Sequence, residues 1–339
     1  MPEFSVHRSR LSPGGSGVSP VVVGAAAAVG GFLRRSLIAV KQEIHSVRKE
    51  NRTAKRQASA RPRALRFWLT LCAALALPAP GVAAPVTASY RVYVGGIAVL
   101  DAAILLDLTD HAYRIDLTAQ NGGFLAKILP WKTLSRSNGA IQMDRLIPAQ
   151  HSQSSVFREK PRSVALTYSA DGGVVATVTP PPEEDDRPPV PEALRRATYD
   201  PLSAGLLLLL AAGRGETCAR VVPVYDGRRR YDMRFDNGGT RPLAPSRYSM
   251  FSGPAQECRA SIIPIAGQAK QSSGPSFWRR EEDSTPRPPG GPPTDVWLAP
   301  ILPDAPPLPV RLETDSAFGA VVIHLIGVAR AGEPTRAIP

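Results

Sequence analysis

The chain has 339 residues, 43% of them hydrophobic and 21% charged, with a formal net charge of +12. Residues 1–84 carry 13 Lys+Arg against 3 Asp+Glu, whereas residues 85–339 carry 28 against 26, so the basic surplus sits in the N-terminal segment. The rest of the chain has no large single-sign field, which excludes a nucleic-acid partner held by phosphate neutralisation.

Residues 1–60 join a Ser/Gly/Pro/Ala-rich start to a charged stretch from Lys41 to Arg63 and show no sustained amphipathic pattern. They read as a disordered extension or a start-site artefact. No methionine lies between Met1 and Met143, which makes Val47 the alternative start. Residues 61–84 read as a signal peptide: Arg61, Arg63 and Arg66, an apolar run from Phe67 to Leu77, and small residues at Gly81–Ala84. The run is far shorter than the roughly twenty residues a bilayer span needs. Pro85 disfavours cleavage at the bond after Ala84. Arg34-Arg35 makes a poor twin-arginine signal, because Lys41 and Glu43 interrupt any apolar run. Leu69–Cys72 makes a poor lipoprotein box, because Leu71 stands where a small residue is required. The leader places the protein in the periplasm, with no transmembrane span in the mature chain.

From Val86 onward the pattern predicts short strands. Tyr90–Val94 alternates, Gly95-Gly96 turns the chain, and Ile97–Leu108 returns it. After Thr109–His111, Tyr113, Ile115 and Leu117 share one face while Arg114, Asp116 and Thr118 share the other, the mark of a sheet with one side buried. Ser163–Tyr168 and Val174–Thr179, joined by Asp171-Gly-Gly173, predict a hairpin. A polar, proline-rich linker runs from Pro180 to Pro191.

Asp200-Pro201 then predicts a helix start, an N-cap followed by proline at the first position. Leu202–Ala212 is apolar on every side, which predicts burial, and Gly213 and Gly215 can end it. Strands resume at Cys218–Tyr225 and Tyr231–Phe235, with Asn237-Gly-Gly239 ending that pair, then at Gln256–Ile265. Residues 268–294 read as a flexible insertion. Val296–Ala299, Leu308–Thr314 and Ala320–Ala329 complete one β-rich domain over 85–330, followed by a tail at 331–339. The fold expected is mainly β: a curved antiparallel sheet, open barrel or spiral wrapped around one buried apolar helix.

Cys72 leaves with the leader, so Cys218 and Cys258 remain as an even pair in an exported protein and predict a disulfide. No CxxC, HxH or His-rich cluster suggests metal, and no cofactor motif is present. GxSxG, HExxH and Walker loops are absent. His111, His151 and His324 are isolated in sequence, and Ser203 reads as a hydrogen-bonding group at the helix start. An enzyme would need one of these histidines to meet a hydroxyl or carboxylate. Arg228, Arg229 and Arg230 form the densest polar cluster and suggest either an anion-contacting hairpin or a cross-strand charge network. Leu202, Leu206, Leu207, Leu208, Leu209, Leu210, Leu125, Ile128 and Trp131 are expected as wall or plug of a hydrophobic concavity.

Asp200-Pro-Leu-Ser203 opening an apolar helix, a cysteine, Pro223–Asp232, a second cysteine, Trp297-Leu and Leu308–Leu312 resemble a proteobacterial periplasmic family, the domain of unknown function 3108. The resemblance covers most of 85–330 and carries no established activity or catalytic residues; the 268–294 insertion departs from it. More distantly, a curved sheet around a helix is similar to lipoprotein carriers and to envelope-integrity proteins with a spiral sheet. The expected function is therefore non-enzymatic: a carrier of lipid or lipoprotein in the cell envelope. The alternative is an interaction protein that supports envelope integrity without a small ligand.

Overall fold

The computed structural model describes residues 84–122, 126–127, 130–157, 159–181, 188–268, 290–316 and 319–337. The extension, nearly all of the leader and most of the 268–294 insertion lie outside the described residues, as do Leu125 and Ile128. Fourteen strands are present among the described residues: β1 (Val86–Val94), β2 (Ile97–Leu108), β3 (Ala112–Asn121), β4 (Trp131–Gln142), β5 (Arg145–Phe157), β6 (Lys160–Tyr168), β7 (Val174–Thr179), β8 (Arg220–Tyr225), β9 (Arg230–Leu243), β10 (Gly253–Ala266), β11 (Thr294–Ala299), β12 (Leu308–Ser316), β13 (Gly319–Arg330) and β14 (Arg336–Ala337). A four-residue helix α1 (Glu192–Arg195) and a thirteen-residue helix α2 (Pro201–Gly213) lie between β7 and β8.

Strands β1–β7 form one antiparallel meander and β8–β13 a second, and pairing of β1 with β13 fuses them into a single sheet in the order β7-β6-β5-β4-β3-β2-β1-β13-β12-β11-β10-β9-β8. Inward positions are apolar along the middle of the sheet: Val86, Ala88, Tyr90 and Val92 on β1, and Val321, Ile323, Leu325 and Val328 on β13. A run of this width curls rather than staying flat. Side chains of β1–β3 and of β9–β12 accordingly meet around α2.

The sheet is not closed by strand pairing. Its edges, β7 and β8, are instead strapped together by the segment just before α2. The Ala197 N–H donates to Gly172 O in the β6–β7 turn (2.8 Å), the Tyr199 N–H to Pro223 O on β8 (2.8 Å), and the Tyr225 N–H returns to Tyr199 O (2.9 Å). Beneath the strap, Leu166, Val174, Val190 and Tyr225 form a small core of their own. The short segment between α1 and α2, not the Pro180–Pro191 linker, thus supplies the hydrogen bonds that join the two sheet edges.

Two sequence expectations need correction. Asn237-Gly-Gly239 ends the β8–β9 pairing but not β9, which continues to Leu243 through a bulge against β10. Strands β4 and β5 were not foreseen, because apart from Leu146 their buried residues are polar (Thr133, Ser135, Ser137, His151) while Leu134 and Ile147 face outward.

Candidate functional site

Helix α2 starts where the sequence places it. The Asp200 carboxylate accepts from the N–H groups of Leu202 and Ser203 at 3.0 Å, and Pro201 occupies the first turn. At the other end, Gly215 takes φ +75° and the Gly215 and Glu216 N–H groups satisfy Ala212 O and Ala211 O, which stops the helix. Burial along α2 is uneven. Ser203, Ala204, Leu206, Leu208 and Ala211 are buried, whereas Leu202, Leu207, Leu209 and Leu210 are half-buried, so the leucines serve different surroundings.

Between α2 and the inner face of the sheet lies a partly open apolar cavity of about 170 Å³. The helix contributes Leu202, Gly205, Leu206, Leu208 and Leu209. The sheet contributes side chains including Tyr90, Leu117, Met233, Val296 and Leu312, and no charged side chain lines the space. A Cβ added at Gly205 would meet nothing within 4 Å. Glycine inside a helix costs roughly 0.5–1 kcal/mol relative to alanine. Here it leaves room in the cavity and relieves no clash.

Of the expected wall residues, Leu202, Leu206, Leu208 and Leu209 line the cavity. Leu207 packs against both main apolar clusters, Leu210 against the smaller one and Trp131 against the larger, none of them at the cavity itself. Leu125 and Ile128 lie outside the described residues. Most of the wall comes from strand residues that sequence reasoning did not single out.

On the opposite side of the helix start, a buried polar network pins α2 to β3, β4 and β5. Ser137 Oγ donates to Asp200 Oδ1 (2.6 Å) and lies 2.8 Å from His151 Nδ1; Ser203 Oγ donates to Asp200 Oδ2 (2.5 Å) and lies 2.8 Å from the Tyr113 hydroxyl. An ionised carboxylate only accepts, so each serine spends its single proton on Asp200. Tyr113 O–H then donates to Ser203, and His151 Nδ1 faces both Ser137 Oγ at 2.8 Å and Asp200 Oδ1 at 3.2 Å. Burial alone would push the Asp200 carboxyl up, but His151 at 3.2 Å and the hydrogen bonds from Ser137 and Ser203 hold it below the ordinary carboxylate value.

The network brings a histidine, a carboxylate and two hydroxyls together, as an enzyme would require. Ser137, Asp200 and Ser203 are fully buried and none of them lines the cavity. The arrangement acts as a tether that sets the position of α2. Ser203 has the helix-start role expected of it, while Ser137, His151 and Tyr113 join only through sheet register, with Ser137 opposite both Ile115 and His151.

The other histidines are elsewhere. His111 is exposed in the β2–β3 turn, and His324 lies on the outer face of β13 between Tyr93 and Tyr248, at ring distances of 5.8 and 6.2 Å. The arginines of the β8–β9 hairpin face partners in their own chain: Arg229 pairs with Asp226 and Arg230 with Asp232, both at 2.7 Å, and Arg228 donates to Pro180 O. Cys218 and Cys258 form a disulfide, which ties the entrance of β8 to β10 across the intervening β9. Among the described residues no three His, Cys, Asp or Glu side chains gather as a metal-ligand set, and no helix is long and apolar enough to cross a membrane.

A family model described as "Protein of unknown function (DUF3108)" matches residues 89–326. No curated protein matches the chain. Among solved structures, a β-barrel-like protein of domain of unknown function DUF1849 from Brucella abortus is similar at 9% identity, covering 73% of this chain and 98% of its own, with a TM-score of 0.41.

Proposed function

The chain belongs to the DUF3108 family, and from that premise we propose that it is an exported, non-enzymatic periplasmic module that binds the acyl portion of a lipid or lipoprotein in the cavity beneath α2. The observation that carries this reading is the cavity itself: about 170 Å³ of apolar space kept open by a glycine in mid-helix. The space is partly open, so its apolar wall meets water, and covering that wall with an apolar group is favourable.

Size and affinity follow from the same number. An apolar cavity of about 150 Å³ takes benzene, so this one accepts about seven heavy atoms of a single chain. At roughly 0.8 kcal/mol per buried methylene, seven methylenes supply about 5–6 kcal/mol, a dissociation constant on the order of 0.1 mM. Binding of that strength is readily reversible, which suits a carrier. No covalent step is assigned, because the histidine–carboxylate–hydroxyl cluster around Asp200 is a buried tether.

The test is native mass spectrometry of protein isolated from its own periplasm, with organic extraction of bound material. A recurrent acyl-bearing adduct is the expected result. A clean apo mass together with no periplasmic pool overturns the assignment, and a clean apo mass in a genuine periplasmic pool favours an envelope protein that works through protein partners.

A further inference from the structure

We infer that the cavity admits one acyl chain, methyl end first, over Gly205 and to a depth of roughly seven carbons, so that the ligand's polar head stays outside. This rests on the cavity being the binding site. The place of entry follows from burial along α2. Leu206 and Leu208 line the cavity and are buried, whereas Leu202, Gly205 and Leu209 line it and are half-buried. Spaced three and four apart, those three share one helix face, and along that face the cavity reaches solvent. Gly205 is the gap in it. Between two leucines a turn away on either side it offers backbone alone, and a Cβ there would meet nothing within 4 Å.

The wall sets the direction. Among the described residues its polar side chains are Tyr90 and Tyr231, both buried, and the Tyr90 hydroxyl has no surface that a ligand could reach. A carboxylate or phosphate pushed inside would lose its hydration with no cation to replace it. A terminal methyl group loses nothing, and each methylene behind it is favourable to bury. The volume, about 170 Å³, holds one chain end and excludes a second chain or a fused-ring skeleton. The ligand class is therefore an amphiphile that presents a single free chain end.

The experiment titrates toluene, octanedioate and the straight-chain carboxylates from butanoate to decanoate into the purified protein, followed by NMR. Toluene should bind as a simple filler of the space. Carboxylate affinity should rise roughly fourfold per methylene up to octanoate and stay level from octanoate to decanoate. Octanedioate, charged at both ends, should show no saturable binding. Gly205→Ala adds one methyl group at the entrance; it should move the plateau one carbon shorter and leave toluene bound. With ¹³C at the terminal methyl of octanoate, that methyl should show NOEs to Leu117 and Leu298. With ¹³C at the methylene beside the carboxylate, the NOEs should be to Gly205. Toluene binding without octanoate, octanedioate matching octanoate, a reversed NOE pattern, or affinity still climbing at decanoate overturns the methyl-first assignment and leaves the cavity reading intact. A plateau that Gly205→Ala does not move overturns entry at Gly205. Failure of toluene and octanoate alike overturns the cavity reading and this inference with it.

Discussion

Substituting Gly205 by leucine tests whether the space beneath α2 is real and whether it is used. The side chain enters where a Cβ meets nothing within 4 Å, on a helix face that already lines the cavity. Two favourable contributions arise. Replacing glycine inside a helix contributes roughly 0.5–1 kcal/mol, and burying a leucine side chain contributes about 1.5–3 kcal/mol. Residual crowding of 1–3 kcal/mol is the opposing effect when a core is overfilled. A cavity of about 170 Å³ exceeds the volume of one leucine side chain, so that opposing effect should be small. We expect Gly205→Leu to stabilise the empty protein by about 2 kcal/mol, which for a domain of this size raises Tm by roughly 4–8 °C, and to abolish toluene binding. Gly205→Ala should recover the helix contribution alone, about 1 kcal/mol, and keep the probe site. Thermal unfolding followed by circular dichroism, with and without toluene, measures both. If Gly205→Leu destabilises the protein while Gly205→Ala does not stabilise it, the space is occupied by something else and the reasoning fails.

Asp200→Ala removes an N-cap and leaves His151, Ser137 and Ser203 buried without their acceptor; urea unfolding should show a loss of about 3–5 kcal/mol, against about 1 kcal/mol if the cap were its whole role. The Asp200 carboxyl is held below its ordinary value, so the folded form binds that proton less readily than the unfolded one. Stability from this site is complete above about pH 4 and is lost as pH falls through the depressed value, and Asp200→Asn should flatten that acid limb. His324 is held below its ordinary value by burial and by the neighbouring Arg311. The unfolded chain therefore takes the proton first, and stability rises with pH up to about 6.5. His324→Phe should remove that slope in urea midpoints measured between pH 5 and 7. Cys218→Ser should lower stability by about 2–5 kcal/mol and leave one titratable thiol at Cys258.

How much was legible depended on where the hydrophobic pattern and the burial agreed. On β1, β3 and β13 the alternation of large apolar residues matches the inward face, so strands were readable there, and on β3 the face as well, from Tyr113, Ile115 and Leu117. Asp200-Pro201 and Gly215 signal the ends of α2 through local chemistry that needs no distant partner. On β4 and β5 the pattern is inverted, with Ser135, Ser137 and His151 inside and Leu134 and Ile147 outside. Ser137 and His151 lie inside because a buried carboxylate faces them, and Asp200 is 63 positions from Ser137 in sequence. No local pattern announces that.

The sequence by itself determined the β-rich class, the apolar helix at Pro201–Gly213 with its cap, and the cysteine pair, because each rests on period-two alternation, end chemistry or simple parity. Tertiary structure alone decided which leucines of α2 line a cavity and which fill the core. It also decided that Ala197 and Tyr199 strap the β6–β7 turn to β8. An all-apolar helix has no face of its own, so only the curvature of the sheet around it assigns one.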